Sequence, residues 1–190
     1  MKLILAALGL FSVAGIYAVN TNFKDVSATD IMDKLDVATY DKEGGLKLPE
    51  GIESWVFAGS TIGMTYFGGQ PDPEDPGLSS SVFVEPQAYR AFINTGEFPE
   101  GTIFAKVVRD TVLSEGGYSL GELLGTEIHV KDRNQFPKHG FNFYFYPAGE
   151  ETAPKMPEDN GCVSCHQAKA AFDNTFTQFY PEIRERLKAK

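Results

Sequence analysis

The two cysteines of this chain stand three positions apart and are followed directly by a histidine, in the segment Cys162-Val163-Ser164-Cys165-His166. On a helical turn this spacing lets each thiol form a thioether with one vinyl group of a haem, while the adjacent imidazole binds the iron as an axial ligand. A zinc site would need two further ligands at a second short spacing, and His129 and His139 are too far apart to supply it. A redox-active cysteine pair usually follows a strand, whereas a proline-rich stretch precedes this one. The motif therefore predicts one haem c, attached to Cys162 and Cys165 and ligated by His166.

The beginning of the chain has the pattern of an export signal. Lys2 precedes an apolar run from Leu3 to Ile16, and the small residue Ala18 follows. The run is short for a membrane span. An uncleaved anchor is the alternative, because Ile16 fits poorly where a small residue is preferred. We predict a signal peptide over residues 1–18, one haem domain over residues 19–190 and a periplasmic location, which suits a haem that is attached after export.

Charge and hydrophobicity limit the kinds of partner. The net charge of −9 disfavours nucleic acid and anionic lipid. A hydrophobic content of 42%, without a later apolar run of spanning length, predicts a soluble domain that leaves the membrane after signal cleavage. The acidic surface suits a basic soluble redox partner, although solubility alone is the simpler explanation.

The body of the chain has the pattern of an antiparallel sheet. Apolar or alternating segments separated by turn residues predict strands at Trp55–Ser60, Ser81–Val84, Thr102–Arg109, Tyr118–Leu124, Thr126–Lys131 and Phe141–Tyr146. A helix is predicted to begin at Pro86 and to stop at Gly96, and a last helix to begin at Pro181. The expected fold is mainly β within the α+β class, with a few short helices and a C-terminal helical segment that binds the haem.

The position of the haem motif near the end of the chain bears on the iron coordination. The residues after His166 include no methionine and no further histidine. A sixth ligand would have to come from upstream, and the candidates are Met32, Met64, Met156, His129 and His139. We predict a five-coordinate iron with an open distal side, which binds small ligands rather than only passing electrons.

A C-terminal haem motif on a strand-rich chain resembles the cytochrome P-460 family, which includes the β-sheet cytochromes c′ called c′-beta. The resemblance depends on the haem motif and on Trp55–Gly59, Val82–Pro86, Gly101–Lys106 and Phe176–Pro181. It implies a mostly antiparallel fold, a homodimer and one haem c. P-460 members carry a covalent bond from a lysine to the haem macrocycle and oxidise hydroxylamine, with nitric oxide as an intermediate or co-substrate. The c′-beta members lack this bond and bind nitric oxide or carbon monoxide in an apolar pocket capped by phenylalanine.

Lys106 falls where the resemblance places the cross-linking lysine. In an extended strand Phe104, Lys106 and Val108 share one face, so a lysine between apolar neighbours must either reach solvent or have a special role. Phe57 and Phe83 are the candidates for a distal pocket. The catalytic base stays unassigned, since the acidic residues near the motif have the pattern of solvated loops.

Three functions remain open at this point. The protein is an oxidoreductase acting on hydroxylamine or nitric oxide, a gas-binding cytochrome without turnover, or an electron carrier. The electron carrier is the weakest of the three, because it would be expected to supply a sixth iron ligand.

Overall fold

An antiparallel sheet forms the body of the protein in the computed structural model, which describes residues 35–64, 72 and 74–188. In chain order the described strands are β1 (Leu46–Lys47), β2 (Val56–Ile62), β3 (Leu78–Val84), β4 (Ile103–Ser114), β5 (Gly117–Lys131), β6 (Phe141–Pro147) and β7 (Thr152–Ala153). The helices are α1 (Pro86–Thr95), α2 (Gly161–Lys169) and α3 (Pro181–Lys188), and 3-10 turns lie at Ile52–Ser54 and Thr177–Phe179. Strands β2 to β6 pair in chain order as one sheet, and β1 pairs with β7. The mainly β fold with short helices is confirmed.

Strand β5 is longer than the sequence pattern predicts. The expected strands Tyr118–Leu124 and Thr126–Lys131 are one continuous element, so Gly125 does not form a turn. A Cβ atom at position 125 would lie only 2.5 Å from the carbonyl oxygen of Tyr146 on the neighbouring strand. Gly125 therefore allows a close backbone approach inside the sheet, which is the other common role of a strand glycine.

Helix α1 begins and ends as its sequence predicts. Pro86 occupies the first helical turn, and the Glu85 carboxylate accepts a hydrogen bond of 2.7 Å from the backbone N–H of Ala88. Gly96 ends the helix with a φ of 82°, a left-handed conformation that glycine adopts without steric cost. The buried face of α1, which includes Ala88 and Phe92, packs on one side of the sheet.

The sheet has two unlike faces because side chains alternate along each strand. On one face, Ile103, Ala105, Ile128 and Tyr144 belong to a dry core that the β1 and β7 region covers. On the other face, buried residues of β3 and β4 pack against helices α1 and α3. Each large apolar side chain buried in these two cores contributes about 1.5–3 kcal/mol to stability.

The face that carries α3 also holds the segment between α2 and α3 close to the sheet. Gly59 of β2 lies directly beneath this segment, since a Cβ atom there would be 2.7 Å from the carbonyl oxygen of Phe179. The side chain of Tyr180 is buried in the same core. A space remains between the sheet and the C-terminal segment.

No helix within the described residues is long and apolar enough to cross a membrane. The predicted signal peptide, residues 1–18, lies outside the part of the chain that the structure describes.

Replacing Gly59 with alanine tests the close contact with the C-terminal segment. The new methyl group would push against backbone rather than against a flexible side chain, so we expect the free energy of unfolding to fall by about 1–3 kcal/mol. Gly161→Ala is the matched control, because no atom lies within 4 Å of the added Cβ. Urea unfolding should leave the control within about 0.5 kcal/mol of the parent. Equal stability of the two variants would contradict the contact.

Candidate haem site

Helix α2 carries the haem motif, and its first turn is fixed by Asn160. The Asn160 side-chain oxygen accepts hydrogen bonds from the backbone N–H groups of Cys162, at 2.7 Å, and Val163, at 3.1 Å. A cap of this kind typically contributes about 1 kcal/mol to helix stability. Cys162 and Cys165 are three positions apart on this helix and are therefore neighbours on its surface.

Helix α2 docks on the end of the sheet through one apolar residue. Val163 is buried and belongs to a cluster with Phe141 and Phe143 of β6, against which Met156 also packs. This contact fixes the rotation of the short helix. Cys165 and His166 consequently line the space between the sheet and the C-terminal segment, whereas Cys162 is exposed.

The ring of His166 is fixed by one hydrogen bond and by aromatic neighbours. Its Nδ1 atom lies 2.7 Å from the carbonyl oxygen of Asn174, which can only accept, so Nδ1 carries the proton. The rings of Phe143 and Phe176 lie edge to face with it, at centroid distances of 4.6 and 4.5 Å. Burial lowers the pKa of His166 below its ordinary value, so that the ring is neutral near pH 7. This arrangement leaves Nε2 without a proton, so that it is the ring nitrogen able to bind a metal.

The carbonyl group that holds His166 belongs to an unusual backbone segment. Asp173 and Asn174 both have left-handed conformations, with φ values of 47° and 55°. Aspartate and asparagine tolerate this region better than other residues with side chains. Lys131 anchors the segment by an ion pair with Asp173. Sequence reasoning did not identify Asn174, although an Asp-Asn pair after a short helix is a recognisable turn signal.

A cavity of about 510 Å³ lies between the sheet and the C-terminal segment. Its lining residues on the sheet are Gly59, Ser60, Thr61, Ser80, Val82, Phe104, Lys106, Glu127, His129 and Phe143. The lining residues outside the sheet are Met64, Cys165, His166, Lys169, Thr175, Phe176, Phe179 and Tyr180. This volume is in the range of cofactor pockets, and aromatic rings form much of the wall. A thiol, a neutral imidazole and apolar walls together fit a haem held by the predicted motif.

Lys106 lies on the cavity wall in an ion pair with Glu127. The two residues are directly opposite each other on β4 and β5, and the Lys106 Nζ atom is 3.1 and 3.2 Å from the two carboxylate oxygens. The lysine side chain is 21% exposed and the glutamate side chain 42%. Sequence reasoning identified Lys106 and the face that it shares with Phe104, but it did not identify Glu127. Glu127 can be identified only from the register between β4 and β5, which places it opposite Lys106.

His129 lies beside His166 and not across the cavity from it. The two imidazole rings are in edge-to-face contact, with centroids 5.4 Å apart, which leaves no room for a tetrapyrrole between them. His129 is stacked between Phe104 and Phe143, its neighbours on the adjacent strands. Burial lowers its pKa well below the ordinary value, and no hydrogen bond reaches its Nε2 atom. His129 is therefore a neutral part of the aromatic wall.

Phe57 and Phe83 do not line the cavity. They pair with each other across β2 and β3, with ring centroids 5.8 Å apart, on the sheet face opposite to Lys106. Phe83 packs against the dry core and Phe57 is 53% exposed. The expectation that they form a distal pocket is corrected: Phe83 is adjacent to Val82, which does line the cavity, and successive residues of a strand face opposite sides of the sheet. Phe57 pairs with Phe83 and shares its face.

The other sequence candidates for an iron ligand are dispersed. Met64 lines the cavity, Met156 packs beneath helix α2, and the ring of His139 contacts the Gln167 side chain at 3.0 Å. Met32 lies outside the described residues. Among the described residues, Met64 is thus the one methionine that lines the cavity.

The cytochrome P-460 family model matches residues 49–177. The matched region contains the five-stranded sheet, the Lys106 and Glu127 pair and the complete haem motif. The chain belongs to the cytochrome P-460 family. No curated protein sequence matches the chain. Family membership supports a haem-binding cytochrome, and the cavity at His166 is the place where the described residues fit that haem.

Proposed function

We propose that this protein is an exported mono-haem c-type cytochrome that oxidises small nitrogen compounds, with hydroxylamine as the substrate. The observation that supports this most directly is the presence of Lys106 and His166 on the same cavity. A cross-linking lysine and an axial histidine would have to meet there, although they are far apart in the sequence. The role of oxidoreductase follows from this pair and from family membership.

Each residue of the motif has a defined task in this proposal. Cys162 and Cys165 hold the haem through thioethers, and His166 binds the iron through Nε2, while Asn174 keeps the imidazole oriented. A haem held by these residues would supply the redox chemistry for a small nitrogen compound. The electrons pass to a soluble redox partner after export to the periplasm.

Glu127 is the carboxylate best placed to act as a base. Oxidation of hydroxylamine releases protons as well as electrons, so a proton acceptor beside the substrate promotes the reaction. Glu127 lies on the cavity wall and is held by Lys106. If the Lys106 nitrogen is bonded to the macrocycle, it no longer carries an ammonium charge. Glu127 then keeps its negative charge without that cation and can accept a proton.

The ion pair also favours a second candidate function. An ammonium group paired with Glu127 is not a nucleophile, and in that state Lys106 stays unbonded. The cavity would then be that of a gas-binding cytochrome like the c′-beta proteins. Rings from Phe104, Phe143, Phe176 and Phe179 crowd its wall, and such a wall favours diatomic gases over bulky or polar compounds.

Removal of both thiols tests the haem attachment. In a Lys106→Ala background, which removes the proposed lysine bond to the haem, we expect the Cys162→Ala, Cys165→Ala double variant to lose all covalent haem, because the chain has no other cysteine. Acid-acetone extraction of the purified protein measures this directly. Ser164→Ala is the control within the same turn, and its haem should stay with the polypeptide. Haem retained by the double variant after extraction would refute the attachment.

Carbon monoxide binding tests the open side of the iron. The ferrous protein should bind carbon monoxide readily, since His129 lies beside His166 and cannot face it across a haem. The absorption spectrum should show five-coordinate iron before the gas is added. Met64→Leu should leave that spectrum unchanged. A six-coordinate low-spin spectrum that disappears in this variant would assign Met64 as a ligand and favour the electron carrier.

Lys106→Ala separates the enzyme from the gas binder. If Lys106 is bonded to the haem, the parent should have a strongly red-shifted Soret band, and the variant should show an ordinary haem c spectrum and lose hydroxylamine oxidation. Lys169→Ala is the matched control, because Lys169 also lines the cavity. Its spectrum and its activity should stay like those of the parent.

Mass spectrometry of a haem-bearing digest gives a second measurement of the same bond. The cross-link predicts a haem peptide that contains Lys106 as well as the Cys162 to His166 segment. Recovery of the Lys106 peptide without modification would eliminate the cross-link and leave gas binding as the better account.

A further inference from the structure

The carbonyl group of Asn174, which accepts the hydrogen bond from His166, belongs to a tight turn over residues 172–175. The backbone N–H of Thr175 donates to the carbonyl oxygen of Phe172 at 2.8 Å, and both central residues of the turn have positive φ angles. This is the pattern of a type I′ turn, in which aspartate and asparagine are common at the central positions. The carbonyl group that meets His166 thus lies at the tip of the turn.

A turn of this kind fixes its own shape but not its direction relative to the rest of the protein. Helix α2 ends at Lys169, and only a short segment separates it from the turn. The separation between Nδ1 of His166 and the carbonyl oxygen of Asn174 therefore depends on the contacts that hold the turn against the body of the domain.

Lys131 connects the turn to the sheet. It is the last residue of β5, and its Nζ atom donates to the carboxylate of Asp173 and to the carbonyl oxygen of Phe98. The side chains of Lys131 and Asp173 are 13% and 19% exposed, so the pair is largely shielded from water. Salt screens such a pair much less than an exposed one, and hydrogen bonds between charged groups are the stronger kind. One ammonium group thus holds the turn, the end of β5 and the segment before β4 together.

The two sides of this ion pair are themselves held in place. The ring of Phe172 contacts the rings of Phe92 and Phe98, with centroid distances of 6.2 Å in both cases. On the sheet side, the backbone N–H of Lys131 donates to the carbonyl oxygen of Thr102 at 2.9 Å. Lys131 consequently stands on a hydrogen-bonded strand, and the ion pair passes the fixed position of that strand on to the turn.

We propose that Lys131 and Asp173 are positioning residues for the iron ligand, because their ion pair holds the Asn174 carbonyl group where it accepts the hydrogen bond from Nδ1 of His166. The inference rests on the proposed ligation of the haem iron by His166. A histidine that donates its second N–H group to a fixed acceptor is a more basic ligand with a fixed ring orientation. The ion pair therefore strengthens the bond between imidazole and iron, and it acts through the turn.

A direct effect of charge on the ligand is the alternative, and it predicts a different result. Loss of the Lys131 ammonium group and loss of the Asp173 carboxylate change the electric field at the imidazole in opposite directions. Positioning predicts the same direction for both losses, because either one releases the turn from the sheet. The sign of the two effects therefore separates positioning from charge.

The test is resonance Raman spectroscopy of the ferrous, haem-loaded protein, which measures the stretching frequency of the iron–histidine bond. Lys131→Met and Asp173→Gly should both shift this band to lower frequency, because a weaker hydrogen bond at Nδ1 makes the imidazole a weaker donor to iron. Glycine at position 173 adopts the positive φ of the turn without steric cost. Asp173→Gly therefore removes the ion pair and leaves the turn conformation accessible.

Two control variants accompany these substitutions. Asn174→Gly is the matched control for glycine, since it keeps both the carbonyl group and the ion pair, and its band should stay at the parent frequency. Arg133→Met is the control for charge. Arg133 is two residues beyond Lys131 in the sequence, is 67% exposed and pairs with Glu100, which lies outside the turn. Its removal should leave the band unchanged as well.

The Lys131→Met, Asp173→Gly double variant keeps the test valid if a single variant fails to fold. Either single substitution leaves one charge of a shielded pair without its counter-ion, whereas the double variant leaves none. The double variant should resist urea better than Lys131→Met, yet its band should be shifted as far as in the single variants. A band that returns to the parent frequency as stability recovers would show a merely structural role and overturn the proposal.

The parent spectrum distinguishes failure of this inference from failure of the proposed function. A ferrous parent without an iron–histidine band would refute ligation by His166 and overturn both. A parent with the band, together with unchanged or oppositely shifted bands in Lys131→Met and Asp173→Gly, would overturn the positioning role alone. The haem site and hydroxylamine oxidation would then stand as proposed.

Discussion

The alternation of side chains across one antiparallel sheet is the constraint on which the rest of this structure depends. Ala105 faces the dry core and Lys106, the next residue, faces the cavity. The same alternation separates Phe83 from Val82 on β3 and Ile128 from His129 on β5. Because a shift of one residue would exchange the two faces, the buried core fixes the register, and the register in turn fixes which side chains reach the cavity.

The second wall of the cavity is built from a short helix and from the segment that follows it. Neither element is long enough to be stable alone, so both depend on contacts with the sheet. Val163 attaches α2 to β6, and Gly59 lets the backbone at Phe179 approach β2 closely. The orientation of His166 then depends on the Asn174 carbonyl group, which the left-handed turn presents to Nδ1. The imidazole of His166, the predicted iron ligand, is thus held by the backbone.

Charge on the cavity wall is confined to few groups, and their balance determines the chemistry that is open to the site. Glu127 on β5 lies opposite Lys106 on β4 and forms an ion pair with it as a cation. In the two proposed functions this lysine has two different states: an ion-paired ammonium would leave the wall largely apolar, and a bonded nitrogen would leave a carboxylate without its cation. Low local polarity strengthens both effects, because charges in a half-buried wall are screened less than charges at the surface.

The sequence by itself determined the haem motif, the fold class and the bounds of helix α1, because each depends on local spacing or on residues with a special backbone role. It also placed Phe104 and Lys106 on one face, which follows from strand periodicity alone. It could not identify Glu127, Asn174 or the cavity, and it chose Phe57 and Phe83 for a pocket that they do not line. These features required the register between strands and the docking of the C-terminal segment. Only the tertiary structure decides them, because contacts between residues distant in sequence depend on how separate elements pack and not on the local pattern of any one of them.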